Sequence, residues 1–214
     1  MISTDHKFVF LRLPKSAGKS IDTALKRYYM PLPSVFRTKD KKEREEKTFS
    51  RHLSYRDCLH HIGSLDISTF FKFALVRNPW CRIASYYFSK QEAQELNIPD
   101  PPPEKAAAIL DAGKYPILHC QQIQYLTEDM STEGRIAVDF VGRFESLRKD
   151  LDHIEQQIGI KINLPKRKLG KAKGKKHYSL YYNEESIEMI RDLFAKDIEY
   201  FGYEFEDRYQ EDIP

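Results

Sequence analysis

Two short segments carry the residue types that bind phosphate groups. The first, Pro14-Lys15-Ser16-Ala17-Gly18-Lys19-Ser20, follows an apolar run and precedes a stretch with helical periodicity. A turn between a strand and a helix aims successive backbone N–H groups, and the positive end of the helix dipole, at an anion. Gly18 permits close backbone approach. Lys15 and Lys19 add charge, while Ser16 and Ser20 add hydroxyl donors. Gly18-Lys19-Ser20 also matches the end of a Walker A loop, but that loop needs glycine where Leu13 stands, so a standard triphosphatase loop is not expected. The plain alternative is a strand–turn–helix junction with surface lysines.

The second segment runs from Phe73 to Phe88 and contains Arg77-Asn78-Pro79-Trp80 and Ser85. Arg77 ends an apolar run, and ligands of open parallel sheets bind beyond the carboxyl ends of strands. Ser85 follows on a helix. An arginine fork and a serine hydroxyl can together grip one phosphate. The alternatives are a salt bridge for Arg77 and a buried helix hydroxyl for Ser85.

Alternating strands and helices position these segments. The apolar run Lys7 to Leu13 reads as a buried strand stopped by Pro14, and Ser20 to Tyr29 as a helix with Ile21, Ala24, Leu25 and Tyr28 on one face. Residues 37–51 are charged, with little apolar content. Ser54 can cap a short helix ending near Gly63. Lys72 to Val76 reads as a second buried strand, stopped by Asn78-Pro79, with a helix from Trp80 to Lys90. The proline cluster Pro99 to Pro103 marks a surface excursion. Ala106 to Leu110 and Leu118 to Tyr125 are further helical candidates. Val138 to Phe144 reads as a third strand, and Glu145 to Ile158 as an amphipathic helix ended by Gly159. Asn183 can cap a last long helix with Ile187, Ile190, Leu193, Phe194, Ile198 and Phe201 on its apolar face. This order predicts an α/β fold with a central, mainly parallel sheet flanked by helices. A single domain over 1–214 is expected, with 97–105 and 166–177 as surface loops.

Composition sets limits. The chain has 214 residues, 41% apolar and 31% charged, which suits a folded domain with a real core. A net charge of +3 makes no case for nucleic acid. Seven lysines or arginines do cluster between Lys166 and Lys176, without the interleaved aromatics of a nucleic-acid platform. Three scattered cysteines form no disulfide framework. Neither a signal peptide nor an apolar run of transmembrane length is visible, so a cytoplasmic location is expected, with a trimmed lumenal domain as the alternative. Cys58-x-His60-His61 lacks a second ligand pair, so no metal is expected.

Together the two segments resemble the sulfotransferase superfamily that uses 3′-phosphoadenosine-5′-phosphosulfate (PAPS), in its carbohydrate-type and bacterial branch. Pro14 to Ser20 is similar to that family's 5′-phosphosulfate loop. Val76-Arg77-Asn78-Pro79-Trp80-x-Arg82-x-x-Ser85 is similar to its 3′-phosphate motif, with the same step from Arg to Ser. Val141 to Leu147 and Asp197 to Tyr203 match later landmarks of the branch. Lys19 departs from the pattern, which has Thr or Ser there. The resemblance implies a P-loop-NTPase-like three-layer α/β/α fold. It also implies PAPS as sulfonate donor, adenosine 3′,5′-bisphosphate as product, and a small-molecule or glycan acceptor.

By that resemblance, Ser16, Ala17, Gly18, Lys19 and Ser20 cradle the phosphosulfate, with Lys15 both binding it and stabilising the leaving phosphate. Arg77 and Ser85 clamp the 3′-phosphate. The branch usually places a histidine before a short helix between the two motifs, and His52 stands there. An imidazole suits a base near neutral pH. His60 and His61 are rivals, and a plain surface histidine is the alternative. The family often closes a basic, Tyr-containing loop over the nucleotide, with Arg167, Lys175, Lys176 and Tyr178 as candidates, against a solvated loop. Acceptor contacts are expected from Met30 to Arg51 and Lys90 to Tyr115. Two other functions stay open. A kinase would need magnesium and an acidic ligand at a strand end, for which Asp139 is the candidate. A non-enzymatic module would use 166–176 to hold an anionic polymer.

Overall fold

A computed structural model of the chain describes residues 1–28, 52–94, 120–164 and 177–206. The chain divides into two compact units. The first comprises Met1–Val76 and Gln122–Pro165, the second Arg77–Gln121 and Lys166–Pro214.

The first unit is built on a four-stranded sheet in the order β1-β2-β3-β4. Its strands are β1 (Ile2–Ser3), β2 (Phe8–Leu11), β3 (Phe71–Val76) and β4 (Phe140–Arg143). β2, β3 and β4 are parallel, in a register that aligns Phe10 with Phe73 and Phe73 with Phe140. β1 pairs antiparallel to β2 and was not expected from the sequence, since two residues carry no period. Alternate residues of β2 and β3 bury opposite faces: Phe8, Phe10, Phe73 and Leu75 on one, Val9, Leu11, Ala74 and Val76 on the other. Burial of both faces is why these strands read as continuous apolar runs.

Phe10 and Phe73 stack at 4.9 Å between ring centroids. Their face packs with Ile21 and Leu25 of α1 (Gly18–Leu25), and with Leu151, Ile154 and Ile158 of a later helix (Leu147–Ile158). That later helix ends on Gly159 at φ 68, as its sequence indicates. Before β3, α2 (Tyr55–Ile62) starts on a capping box in which Ser54 and Asp57 exchange bonds.

The second unit is helical in its described residues. It contains α3 (Pro79–Gln94), a 3₁₀ turn (Tyr178–Tyr181), and two later helices, Glu184–Leu193 and Ala195–Phe201. With Leu147–Ile158 as α4, these last two are α5 and α6. Pro79 opens α3 where its missing N–H costs nothing. Asn78 accepts from the Cys81 N–H at 3.3 Å and donates to the Glu204 carbonyl at 2.8 Å. Trp80 is fully buried in this core and donates to the Ile187 carbonyl at 3.1 Å. The Tyr182 hydroxyl donates to the Trp80 carbonyl at 2.7 Å, and burial pushes its phenol pKa well above the ordinary value.

Two sequence expectations need correction. The last helix is not continuous: Phe194 breaks it between α5 and α6 with φ −116 and ψ 28. The Asp197 N–H is taken by the Gln121 side chain at 3.0 Å, so a side chain enters the helical ladder there. Of Leu118 to Tyr125, the described part forms only a 3₁₀ turn at Ile123–Tyr125. Ala137 donates to the Leu126 carbonyl and Thr127 bridges Ile136, which draws the chain into extended structure instead. The candidates at residues 37–51, 99–103 and 106–110 lie outside the described residues.

Arg82 and Asp197 form an ion pair at 3.8 Å with no exposure of either side chain. Arg82 also donates to the Cys120 carbonyl at 3.2 Å and lies 5.3 Å from the centroid of the Phe194 ring. Asp197→Asn keeps the shape and removes the counter-charge from a buried cation. It should cost about 3 kcal/mol or more in urea unfolding. A loss below about 1 kcal/mol would mean that the pair behaves like an exposed one.

Candidate active site

In the first unit, the chain leaves β2 at its carboxyl end and turns through Arg12 to Ala17 into α1. Leu13 and Pro14 are buried, which anchors the start of the turn. Lys15 and Ala17 both adopt left-handed backbone, with φ 65 and φ 58. Such a conformation costs a non-glycine residue about 1–2 kcal/mol. Left-handed residues also occur in the nests of backbone N–H groups that bind anions. The first N–H groups of α1 have no carbonyl four residues back within the helix. Ser20 and Ile21 return their N–H groups to the Ala17 carbonyl at 2.9 and 3.2 Å.

The side chains of the turn divide by position. Ser16 is buried, and its hydroxyl faces inward, 3.3 Å from the Gln122 side-chain oxygen and 3.5 Å from the Pro14 carbonyl. It braces the turn from beneath. Lys15 and Ser20 are half-buried and Lys19 is exposed. Gly18 is buried against Arg12: a Cβ there would lie 2.5 Å from the Arg12 Cγ. Arg12 is paired with Asp22 of α1 at 3.4 Å. Sequence spacing did not reveal Arg12 or Gln122, because neither belongs to a local pattern.

His52 is brought to this turn. Its Nδ1 lies 2.9 Å from the Arg12 carbonyl. A carbonyl only accepts, so Nδ1 carries the proton, and in the neutral ring Nε2 holds the lone pair. That is the tautomer a base needs. Of the rivals, His60 is exposed on α2. Cys58 is buried, and burial pushes its thiol pKa up. Among the described residues, no group of three His, Cys, Asp or Glu side chains is placed to hold a metal ion.

Asp139 immediately precedes β4, at the amino end of a parallel strand. It accepts from the Lys72 N–H at 2.7 Å and pairs with the Lys72 ammonium at 3.0 Å. The turn after β2 lies at the carboxyl end of the same parallel set. Asp139 is therefore at the other end of the strands from the turn, where it cannot serve as a metal ligand for a nucleotide held there.

In the second unit, Arg77 and Ser85 flank the first turns of α3, and both are half-buried. Arg77 donates to the Cys81 sulfur from Nε at 3.3 Å and from one terminal nitrogen at 3.0 Å. Tyr178 is buried, and its hydroxyl accepts from the Glu206 N–H at 2.9 Å, with its ring edge-on to Phe205. Its environment is the second unit's core. Arg167, Lys175 and Lys176 lie outside the described residues, as do the acceptor segments apart from the start of 90–115.

A family model described as "Sulfotransferase family" matches residues 1–204, nearly the whole chain. No curated protein and no solved structure matches it.

The turn makes opposite demands at neighbouring positions. Gly18→Ala should lower the unfolding free energy by about 1–3 kcal/mol, since the new methyl meets the stem of Arg12. Ala17→Gly relieves a left-handed residue and should be neutral or stabilising by up to about 1 kcal/mol, after the entropy of the unfolded glycine. Paired urea titrations check both. Equal destabilisation would contradict this backbone.

Proposed function

The chain belongs to the sulfotransferase family, and we propose that it moves the sulfonate group of PAPS to a hydroxyl acceptor, a sugar or another small molecule. The observation that carries this reading is the turn after β2. There, left-handed Lys15 and Ala17 lead into the amino end of α1, and His52 bonds through Nδ1 to the Arg12 carbonyl at the start of the turn. In this reading the sheet and helices belong to a P-loop-NTPase-like three-layer fold.

Lys15, the N–H groups of the turn, Lys19 and Ser20 hold the 5′-phosphosulfate. Arg77 and Ser85 take the 3′-phosphate, which gives PAPS its advantage over the donor lacking that group. The acceptor oxygen attacks sulfur as the bond from sulfur to the phosphate oxygen breaks. The electron pair of that bond stays with the phosphate of adenosine 3′,5′-bisphosphate. By analogy with phosphoryl transfer, the transition state is loose, and charge grows on the leaving oxygen. Lys15 and the fixed N–H dipoles stabilise that charge. Nε2 of His52 takes the acceptor's proton, while Nδ1 stays bonded to the Arg12 carbonyl. The cations of the chain supply the charge stabilisation, so the scheme calls on no metal. Asp139 at the far strand ends weighs against the kinase alternative.

Binding is tested by thermal shift. Adenosine 3′,5′-bisphosphate should raise the melting temperature of the intact chain, and ATP with magnesium should not. The reverse result would favour the kinase. The base is tested once labelled PAPS has identified an acceptor. His52→Ala should lower kcat by about 10²–10⁴-fold. Its affinity for the bisphosphate should stay within about twofold of wild type, since the substitution spares the nucleotide donors. An unchanged kcat would remove His52 from the chemistry.

A further inference from the structure

Arg77 and Ser85 are separated by eight residues, and Cys81 stands midway between them. Position 81 is one of the unspecified places in the motif that Arg77 and Ser85 share with the family. Cys81 and Ser85 are four residues apart on α3, so they lie on one face of the helix, a turn apart. Helical side chains lean toward the amino terminus, so Ser85 leans toward the turn that carries Cys81. Arg77 precedes the helix, and its guanidinium is laid onto that same face by two bonds to the Cys81 sulfur, at 3.3 and 3.0 Å.

Asn78 fixes the backbone that carries Cys81, because its side chain accepts from the Cys81 N–H and its carbonyl accepts from the Arg82 N–H at 2.8 Å. Behind Cys81 is the second unit's core, including the fully buried Trp80 and Ile83.

We propose that Cys81 is a positioning residue: its sulfur holds the Nε edge of Arg77 so that the guanidinium fork shares one helix face with the Ser85 hydroxyl and together they receive a 3′-phosphate. The guanidinium is planar with five donors in a fixed fork. Engaging one edge orients the whole plane. A phosphate then meets an arginine whose side-chain rotamers are already restricted, and the entropy otherwise lost on binding is smaller. A sulfur is a suitable brace here, because a neutral thiol accepts weakly and brings no negative charge to compete with the phosphate.

This inference rests on the assignment of Arg77 and Ser85 to the 3′-phosphate of the donor. Calorimetric titration of the intact chain with adenosine 3′,5′-bisphosphate and with adenosine 5′-phosphate separates the two. Wild type should prefer the bisphosphate. Cys81→Ala should weaken bisphosphate binding about five- to tenfold, the scale of one ordinary lost hydrogen bond, since sulfur accepts weakly. Its affinity for adenosine 5′-phosphate should not change, and Cys81→Ser, which keeps an acceptor, should recover part of the loss. In an Arg77→Ala background, Cys81→Ala should have no further effect on the bisphosphate. Equal weakening of both nucleotides, or an additive loss in the double variant, would give Cys81 a merely structural role and overturn the proposal. So would an unchanged preference in Cys81→Ala. A wild type with no preference for the bisphosphate would instead remove the donor assignment, and this inference with it.

Discussion

The close approach of Gly18 to the stem of Arg12 is the constraint on which the first unit's turn depends. A buried parallel strand must release the chain at its end, and here it does so through two left-handed residues rather than a long loop. That reversal brings the start of α1 over the Arg12 side chain, where a Cβ at position 18 would force the arginine stem to shift. Arg12 then serves three neighbours at once. Its stem lies under Gly18, its guanidinium pairs with Asp22, and its carbonyl accepts a hydrogen bond from Nδ1 of His52. The backbone strain of Lys15 and Ala17 is offset by contacts such as the buried Ser16 hydroxyl against Gln122. Strained residues held in place in this way would suit the proposed anion site, since donors already fixed need no reorganisation when charge develops.

The second unit solves a similar problem with different means. Its starting point is the amino end of α3, set by Asn78, Pro79 and the buried Trp80. The Arg82–Asp197 pair lies one residue beyond Cys81 and is sealed from solvent. Its cost of desolvation makes it poor evidence of stability, but it specifies where α6 meets α3. The Phe194 break between α5 and α6 belongs to the same arrangement, because it lets both Phe194 and Asp197 turn inward toward Arg82.

Much of this was legible in the sequence, and the reasons are local. β2 and β3 show as apolar runs because both of their faces are buried. α2 and α5 show through Ser54 and Asn183, whose caps need only residues three positions away. The turn after β2 and the junction at Arg77 show because an apolar run stopped by Pro14, or by Asn78-Pro79, and followed by helical periodicity reads as a strand leading into a helix. What could not be read depends on partners distant in the chain. Ser16 and Gln122 are 106 residues apart, and Trp80 meets Ile187 across 107. Arg12 belongs to no local pattern, and its contacts appear only once Gly18, Asp22 and His52 are placed. The continuous apolar face from Ile187 to Phe201 likewise hid the interruption at Phe194, beside which the Gln121 side chain accepts from the Asp197 N–H.

The most direct test is a crystal structure of the chain with adenosine 3′,5′-bisphosphate. The account predicts the 5′-phosphate against the backbone N–H groups and ammonium of the Lys15–Ser20 turn. It predicts the 3′-phosphate on the guanidinium of Arg77 and the hydroxyl of Ser85. A nucleotide bound with its phosphates away from the turn, or with the 3′-phosphate touching neither Arg77 nor Ser85, would contradict it.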